Sequence, residues 1–220
     1  MANSIERCLE PVLSAPLYFG QILVKKTTDR FVLSHRDDEA IDHLRMFRSA
    51  EDAIEIAKYD DAGNYRPLKT GPNLCRGWRL ELDTLEDLIR ALNYFYPGRL
   101  AVFAAWKRGK MQTTPLRETL ERQSGMYRVA AKISDSQIDD LVADFCRSNG
   151  GCLRTILWKR DQGGAIASTK LQKEKFDPEY DQAGIQPEAP TPATVPLLCE
   201  EACNLLVAEC RRVVKNGNAS

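Results

Sequence analysis

Four cysteines stand in two pairs, Cys146 with Cys152 and Cys199 with Cys203. Thiolate sulfur is a soft donor, and four converging sulfurs are the ligand set of a structural zinc or of an iron–sulfur cluster. A long stretch of chain separates the pairs, so two remote segments must meet for the site to exist. Neither spacing is the C-x2-C of zinc knuckles and small ferredoxins, so spacing does not select the metal. Zinc sites often include histidine, but His35 and His43 are the only histidines and lie far upstream. An all-cysteine set suits zinc and iron–sulfur alike. A metal-free reading stands beside both. Cys199, Cys203, Leu206 and Cys210 recur at helical spacing, and four small apolar side chains on a core-facing stripe give the same pattern. Cys8, Cys75 and Cys210 are read as structural or incidental, with Cys210 the best substitute should one of the four not be a ligand.

The elements that must position these sulfurs follow from the local pattern. Ser134 or Asp135 caps a helix whose inward stripe is Ile138, Leu141, Val142 and Phe145, and which delivers Cys146 at its end. Gly150-Gly151 allows a tight turn before Cys152. Leu153 to Trp158 reads as a short strand. Arg147, Arg154 and Lys159 would offset the charge of a four-thiolate centre, and Trp158 and Phe145 would exclude water. Leu197 to Val214 is expected to be one helix, with Cys199 and Cys203 on a common face. Residues 161–196 contain Pro178, Pro187, Pro190, Pro192 and Pro196 and read as a long loop.

Upstream, Leu17 to Lys25 and Arg30 to Ser34 predict a β-hairpin, and Trp78 to Leu82 a further strand. Helices are expected from Ser49, from Thr84 with Leu85, Leu88, Ile89, Leu92 and Phe95 as its apolar face, over Leu100 to Trp106, and over Leu116 to Arg122. The fold class is therefore α+β. A small mixed α/β domain over 1–133 is followed by a mostly helical four-cysteine domain over 134–220.

Composition narrows the functions. The chain is 43% hydrophobic and 28% charged, with 31 basic and 31 acidic residues. A packed core is expected, and the charge balance does not favour a nucleic-acid partner. No apolar run is long enough for a transmembrane helix, and no secretory leader is read at the start, so a cytoplasmic protein with reduced thiols is expected. Local basic stretches, Asn64 to Arg79 and Ala105 to Lys132, suggest either a solvated face or a face for an anionic ligand. Phosphate-loop, dinucleotide-binding and nucleophile-elbow motifs are absent.

Four segments carry a family resemblance: Tyr65-Arg-Pro-Leu-Lys-Thr-Gly-Pro-Asn-Leu74, Arg122-Gln-Ser-Gly-Met-Tyr-Arg128, Gly151-Cys-Leu-Arg-Thr-Ile-Leu-Trp158 and Cys199-Glu-Glu-Ala-Cys-Asn204. Together they resemble the C-terminal region of multidomain CbiX-type, sirohydrochlorin cobaltochelatase-like proteins, a stabilising domain followed by a [4Fe-4S]-binding domain. The resemblance implies a [4Fe-4S] cluster on Cys146, Cys152, Cys199 and Cys203. In those proteins the chelatase domains precede this region, whereas only a short stretch precedes it here. The expectation is thus a cluster-binding protein without chelatase activity of its own, accessory to tetrapyrrole or cobalamin-type metal chelation, with a separate chelatase or a redox protein as partner.

Overall fold

Alternation of apolar and polar residues builds the first part of the molecule. In a computed structural model, which describes residues 4–38, 41, 43–66, 73–123, 128–146, 152, 154–161 and 193–217, the segment read as one strand over Leu17 to Lys25 is two. These are β1 (Leu17–Phe19) and β2 (Ile22–Lys26). Gly20, at φ +62°, turns the chain between them, a conformation glycine adopts without a Cβ penalty. The predicted hairpin joins β2 to β3 (Phe31–His35), with Lys26 opposite Phe31. Its turn is held by Thr27, whose Oγ1 accepts from the Arg30 amide at 3.3 Å.

The sheet is completed by β4 (Arg45–Phe47), β5 (Trp78–Leu82) and a strand from late in the chain, Ala193–Val195. Strand β5 has the predicted bounds. With β6 assigned to Thr155–Ile156 and β7 to Ala193–Val195, the order is β4-β5-β3-β2-β1-β7. The two outer pairs are parallel and the inner ones antiparallel. Strand β7 falls inside the stretch read as loop. Its partner is β1, far away in sequence, and local pattern carries no record of such pairing.

Helices pack the sheet's inner face. Helix α1 (Ser4–Leu9) is followed by a 3-10 turn, and α2 (Asp52–Ile56) is the short helix expected after Ser49. Helix α3 (Leu85–Phe95) begins where Thr84 accepts from the Asp87 amide at 3.0 Å. Such a cap contributes on the order of 1 kcal/mol. Leu88, Ala91, Leu92 and Phe95 are fully buried, and Phe95 stacks on Trp78 with centroids 5.1 Å apart. Pro97-Gly98 ends α3, and α4 (Arg99–Lys107) follows.

The first unit also buries a set of polar groups. Tyr96 Oη accepts from the Gln21 amide at 3.0 Å, and Gln21 Oε1 accepts from the Leu74 amide at 2.8 Å. His35 is wholly buried, and its Nδ1 accepts from the Asp37 amide at 3.1 Å. Burial holds this imidazole neutral by lowering its pKa, against Asp37 and Asp38 and with Arg76 and Arg36. Unfolding returns His35 to its ordinary value of 6.5. Below that pH the unfolded chain binds the extra proton, so this contribution to stability is present above 6.5 and lost as pH falls. The urea midpoint is expected to drop between about pH 7 and about pH 5, and to drop less in His35→Gln. Parallel behaviour of the two proteins would refute this account.

The chain divides into two compact units, Met1–Lys110 with Gln182–Leu197, and Met111–Asp181 with Leu198–Ser220. The division falls before the sequence expectation of residue 133, because Leu116, Leu120, Ala130 and Ile133 belong to the second hydrophobic core rather than the first.

That second unit contains α5 (Leu116–Gln123), a 3-10 turn at Ala130–Lys132, α6 (Asp135–Leu141), β6, β8 (Leu198–Cys199) and α7 (Asn204–Gly217). Ser134, one of the two expected cap candidates, forms a reciprocal capping box with Gln137 at the start of α6. Arg117 ties α5 to α6. Its guanidinium donates to the Ile133 carbonyl at 2.7 Å and pairs with Asp135. Arg160 adds weaker bonds to Asp135 and Asp139.

Candidate metal centre

Cys146 and Cys199 end their elements, and Cys203 stands just before one. After α6 the backbone continues as a π-turn over Val142–Cys146, so Cys146 ends a wider coil than an α-helix provides. Such turns are rare and concentrate at functional sites. Cys146 is buried and Cys152 half-buried. The diglycine turn expected between them lies outside the described residues.

Cys199 departs from the sequence expectation. It is the last residue of β8, not part of the final helix. β8 runs parallel to β6, with Ile156 opposite Cys199, and the Leu157 amide donates to the Cys199 carbonyl at 3.0 Å. This pairing claims Leu198 and Cys199 before a helix can form. α7 starts only at Asn204, and the Cys203 carbonyl accepts its first bond, from Val207, at 3.1 Å. Cys199 and Cys203 therefore flank a short loop instead of sharing a helical face. The loop is fastened from outside. The Glu200 carbonyl accepts from the Thr114 amide at 3.1 Å, and Glu201 pairs with Arg122 and accepts from Gln123 Nε2 at 3.3 Å.

The Cys199 sulfur has a defined environment. Trp158 Nε1 donates to it at 3.2 Å, and its own thiol donates to the Glu201 carbonyl at 3.2 Å. Burial pushes the thiol up to about 11; the Trp158 bond and the Arg154 charge pull it down, and the neighbouring Cys152 and Cys203 push it up. Cys152, Cys199 and Cys203 thus lie within electrostatic reach of one another. Cys146 and Cys199 belong to the same buried cluster, against which Cys203 packs. Among the described residues, no three His, Cys, Asp or Glu side chains stand close enough to hold a metal ion. The thiols share one region of the second unit without closing to coordination distance.

Arg154 tests whether a cluster suits this place. It is only 9% exposed, and its Nε has no hydrogen-bond partner among the described residues. A buried guanidinium with an unsatisfied donor calls for an anion. Four thiolates around an iron–sulfur core are net anionic, and all-sulfur donors are what such a core binds. The residues present fit the group.

Of the remaining cysteines, Cys210 shares the buried cluster of Cys146 and Cys199, and Cys8 and Cys75 do not. Cys210 is buried on α7, its thiol pushed up to about 11 by burial and lowered in part by Arg117. Cys8 and Cys75 pack against the first core, and Cys75 Sγ donates to the Ile56 carbonyl at 3.0 Å. His43 is exposed, and both histidines lie in the first unit. Much of the expected basic face is paired internally: Arg76 with Asp37 and Asp61, Arg79 with Glu81, Arg122 with Glu201. Sequence reasoning placed Trp158 and Arg154 near the sulfurs but missed the indole–sulfur bond and the π-turn. Both depend on backbone geometry that residue type does not encode.

Residues 108–212 match the family model of a 4Fe-4S iron-sulfur cluster binding domain. The second unit is thus similar to 4Fe-4S iron-sulfur cluster binding domains. Residues 9–110 match the model of the DR2241 stabilising domain. Among solved structures, a protein from Deinococcus radiodurans aligns with a TM-score of 0.72 and 27% identity, over 96% of this chain and 41% of its own length. That protein is described as multi-domain, with structural similarity to chelatases but also with two additional novel domains. The present chain therefore spans about two fifths of it. No curated protein matches. Among the described residues, no helix is long and apolar enough to cross a membrane.

Proposed function

We propose that Cys146, Cys152, Cys199 and Cys203 ligate a [4Fe-4S] cluster, and that the protein acts as an accessory to metal chelation by tetrapyrroles. A chelatase or a redox protein would be its partner. The observation that carries the ligand assignment is the buried Cys199 sulfur. It is bonded by Trp158 and lies near Cys152, Cys203 and a buried arginine, Arg154, with an unsatisfied donor. The likeness to a chelatase-like multidomain protein supports the accessory role.

When bound, such a cluster supplies one-electron transfer or a rigid cross-link between remote segments. The chain's own residues do the rest. β6 and β8 hold Cys199 in place through paired backbone. The π-turn brings Cys146 into the same core. Trp158 shields the sulfur from water, and Arg154 offsets negative charge.

Protein purified without oxygen should be brown, absorb broadly through the visible range, and contain iron and acid-labile sulfide in comparable amounts. Colourless protein with stoichiometric zinc, or folded protein with neither metal, would overturn the cluster assignment. Binding of a chelatase to the loaded protein, absent from protein stripped of iron, would support the accessory role. Equal binding to both would count against a role for the cluster in it.

A further inference from the structure

We infer that Trp158 and Arg154 set the reduction potential of the cluster through the Cys199 sulfur, acting as positioning residues rather than ligands. The inference rests on the cluster reading above and extends it. Trp158 is 3% exposed, and its indole N–H can only donate; the acceptor it meets is Cys199 Sγ, at 3.2 Å. A tryptophan kept only for its apolar bulk needs no sulfur at that nitrogen. Its backbone is fixed as well, because it follows Leu157, whose amide extends the ladder to Cys199. Arg154 stands just ahead of β6, buried, with its charge felt at Cys199.

When the cluster takes one electron from a reductant such as dithionite, the added negative charge spreads onto the ligating sulfurs. No proton or bond need change. A hydrogen bond to one of those sulfurs, with a buried cation in its neighbourhood, stabilises the reduced state more than the oxidised one. Their effect is enlarged where water is excluded. Both groups therefore raise the potential. When ligation removes the Cys199 proton, the bond to the Glu201 carbonyl is lost, while the indole N–H remains to face the more negative sulfur.

The test is an anaerobic redox titration of loaded wild-type protein, Trp158→Phe, Arg154→Met and Arg154→Lys, with iron content measured on each. Trp158→Phe and Arg154→Met should shift the potential to more negative values at unchanged iron content, and Arg154→Lys should stay near wild type. Equal potentials in all four proteins would overturn the inference. If Trp158→Phe binds too little iron to titrate, the indole N–H resonance of Trp158 in the metal-free protein decides. Its movement on Cys199→Ala supports the contact, and its constancy refutes it. Wild-type protein that never carries iron and sulfide defeats the cluster reading itself. A loaded wild type indifferent to these substitutions defeats only the tuning role.

Discussion

Cys199→Ser should lose at least about tenfold of the iron and sulfide found in wild-type protein, since losing a ligand exceeds the 10–100-fold effects typical of outer hydrogen-bond partners. The reasoning is local. Serine keeps the size of the side chain and its bond to the Glu201 carbonyl, but its oxygen is a hard donor that an iron–sulfur core binds poorly. The same substitution at Cys203 should act in the same direction, because that residue closes the other end of the 199–203 loop. Cys8→Ser and Cys210→Ser are the contrasting cases. Cys8 packs against the core of the first unit, whereas the four candidate ligands belong to the second. Cys210 is 1% exposed; a hydroxyl there lacks the apolar character of a thiol and should cost about 1–3 kcal/mol of stability. Its iron content should nevertheless match wild type. Undiminished iron in Cys199→Ser, or loss in Cys210→Ser equal to that in Cys199→Ser, would require a different ligand set.

What the sequence showed of this molecule depended on whether the information was local. The capping of α3 by Thr84 and of α6 by Ser134 lies within four residues; the first forms as its spacing predicts, and the second falls to Ser134 of the two candidates Ser134 and Asp135. β5 was bounded correctly because Trp78 to Leu82 alternates strictly between buried and half-buried positions. Features set by remote pairing or by packing were not legible. β7 exists because β1 offers it a parallel edge, and β8 exists because β6 does. Leu198-Cys199 has no strand signal strong enough to outweigh the helical run beginning at Asn204. The split of Leu17 to Lys25 turns on Gly20, whose effect comes from a conformation rather than from hydropathy. The domain division moved to residue 110 because α5 contributes Leu116 and Leu120 to the second core, a choice made by packing. For the candidate site, residue type nominated the sulfurs, and the family likeness supplied the cluster. Only the fold revealed that Cys199 carries an indole hydrogen bond.

Gly20→Ala should destabilise the first unit by roughly 2–5 kcal/mol, the sum of a left-handed backbone forced on alanine and of overpacking. The position is constrained twice. Its φ of +62° is costly for any residue with a Cβ, and that Cβ would lie 2.7 Å from Tyr96 Cζ and Oη and 2.8 Å from Leu197 Cδ1. Tyr96 has little room to withdraw. It is 1% exposed, meets Phe19 edge-on at 5.4 Å, and accepts the Gln21 amide bond at 3.0 Å. Displacing the ring would strain that bond and leave a buried backbone donor poorly satisfied. Gly63 separates the two contributions. It has φ +82° but no atom within 4 Å of an added Cβ, so Gly63→Ala bears only the backbone cost, about 1 kcal/mol. Urea unfolding followed by tryptophan fluorescence should show a large fall in midpoint for Gly20→Ala and a small one for Gly63→Ala. Equal falls would mean that the close approach of Tyr96 to Gly20 does not restrict the fold, because the backbone conformation alone would then account for both.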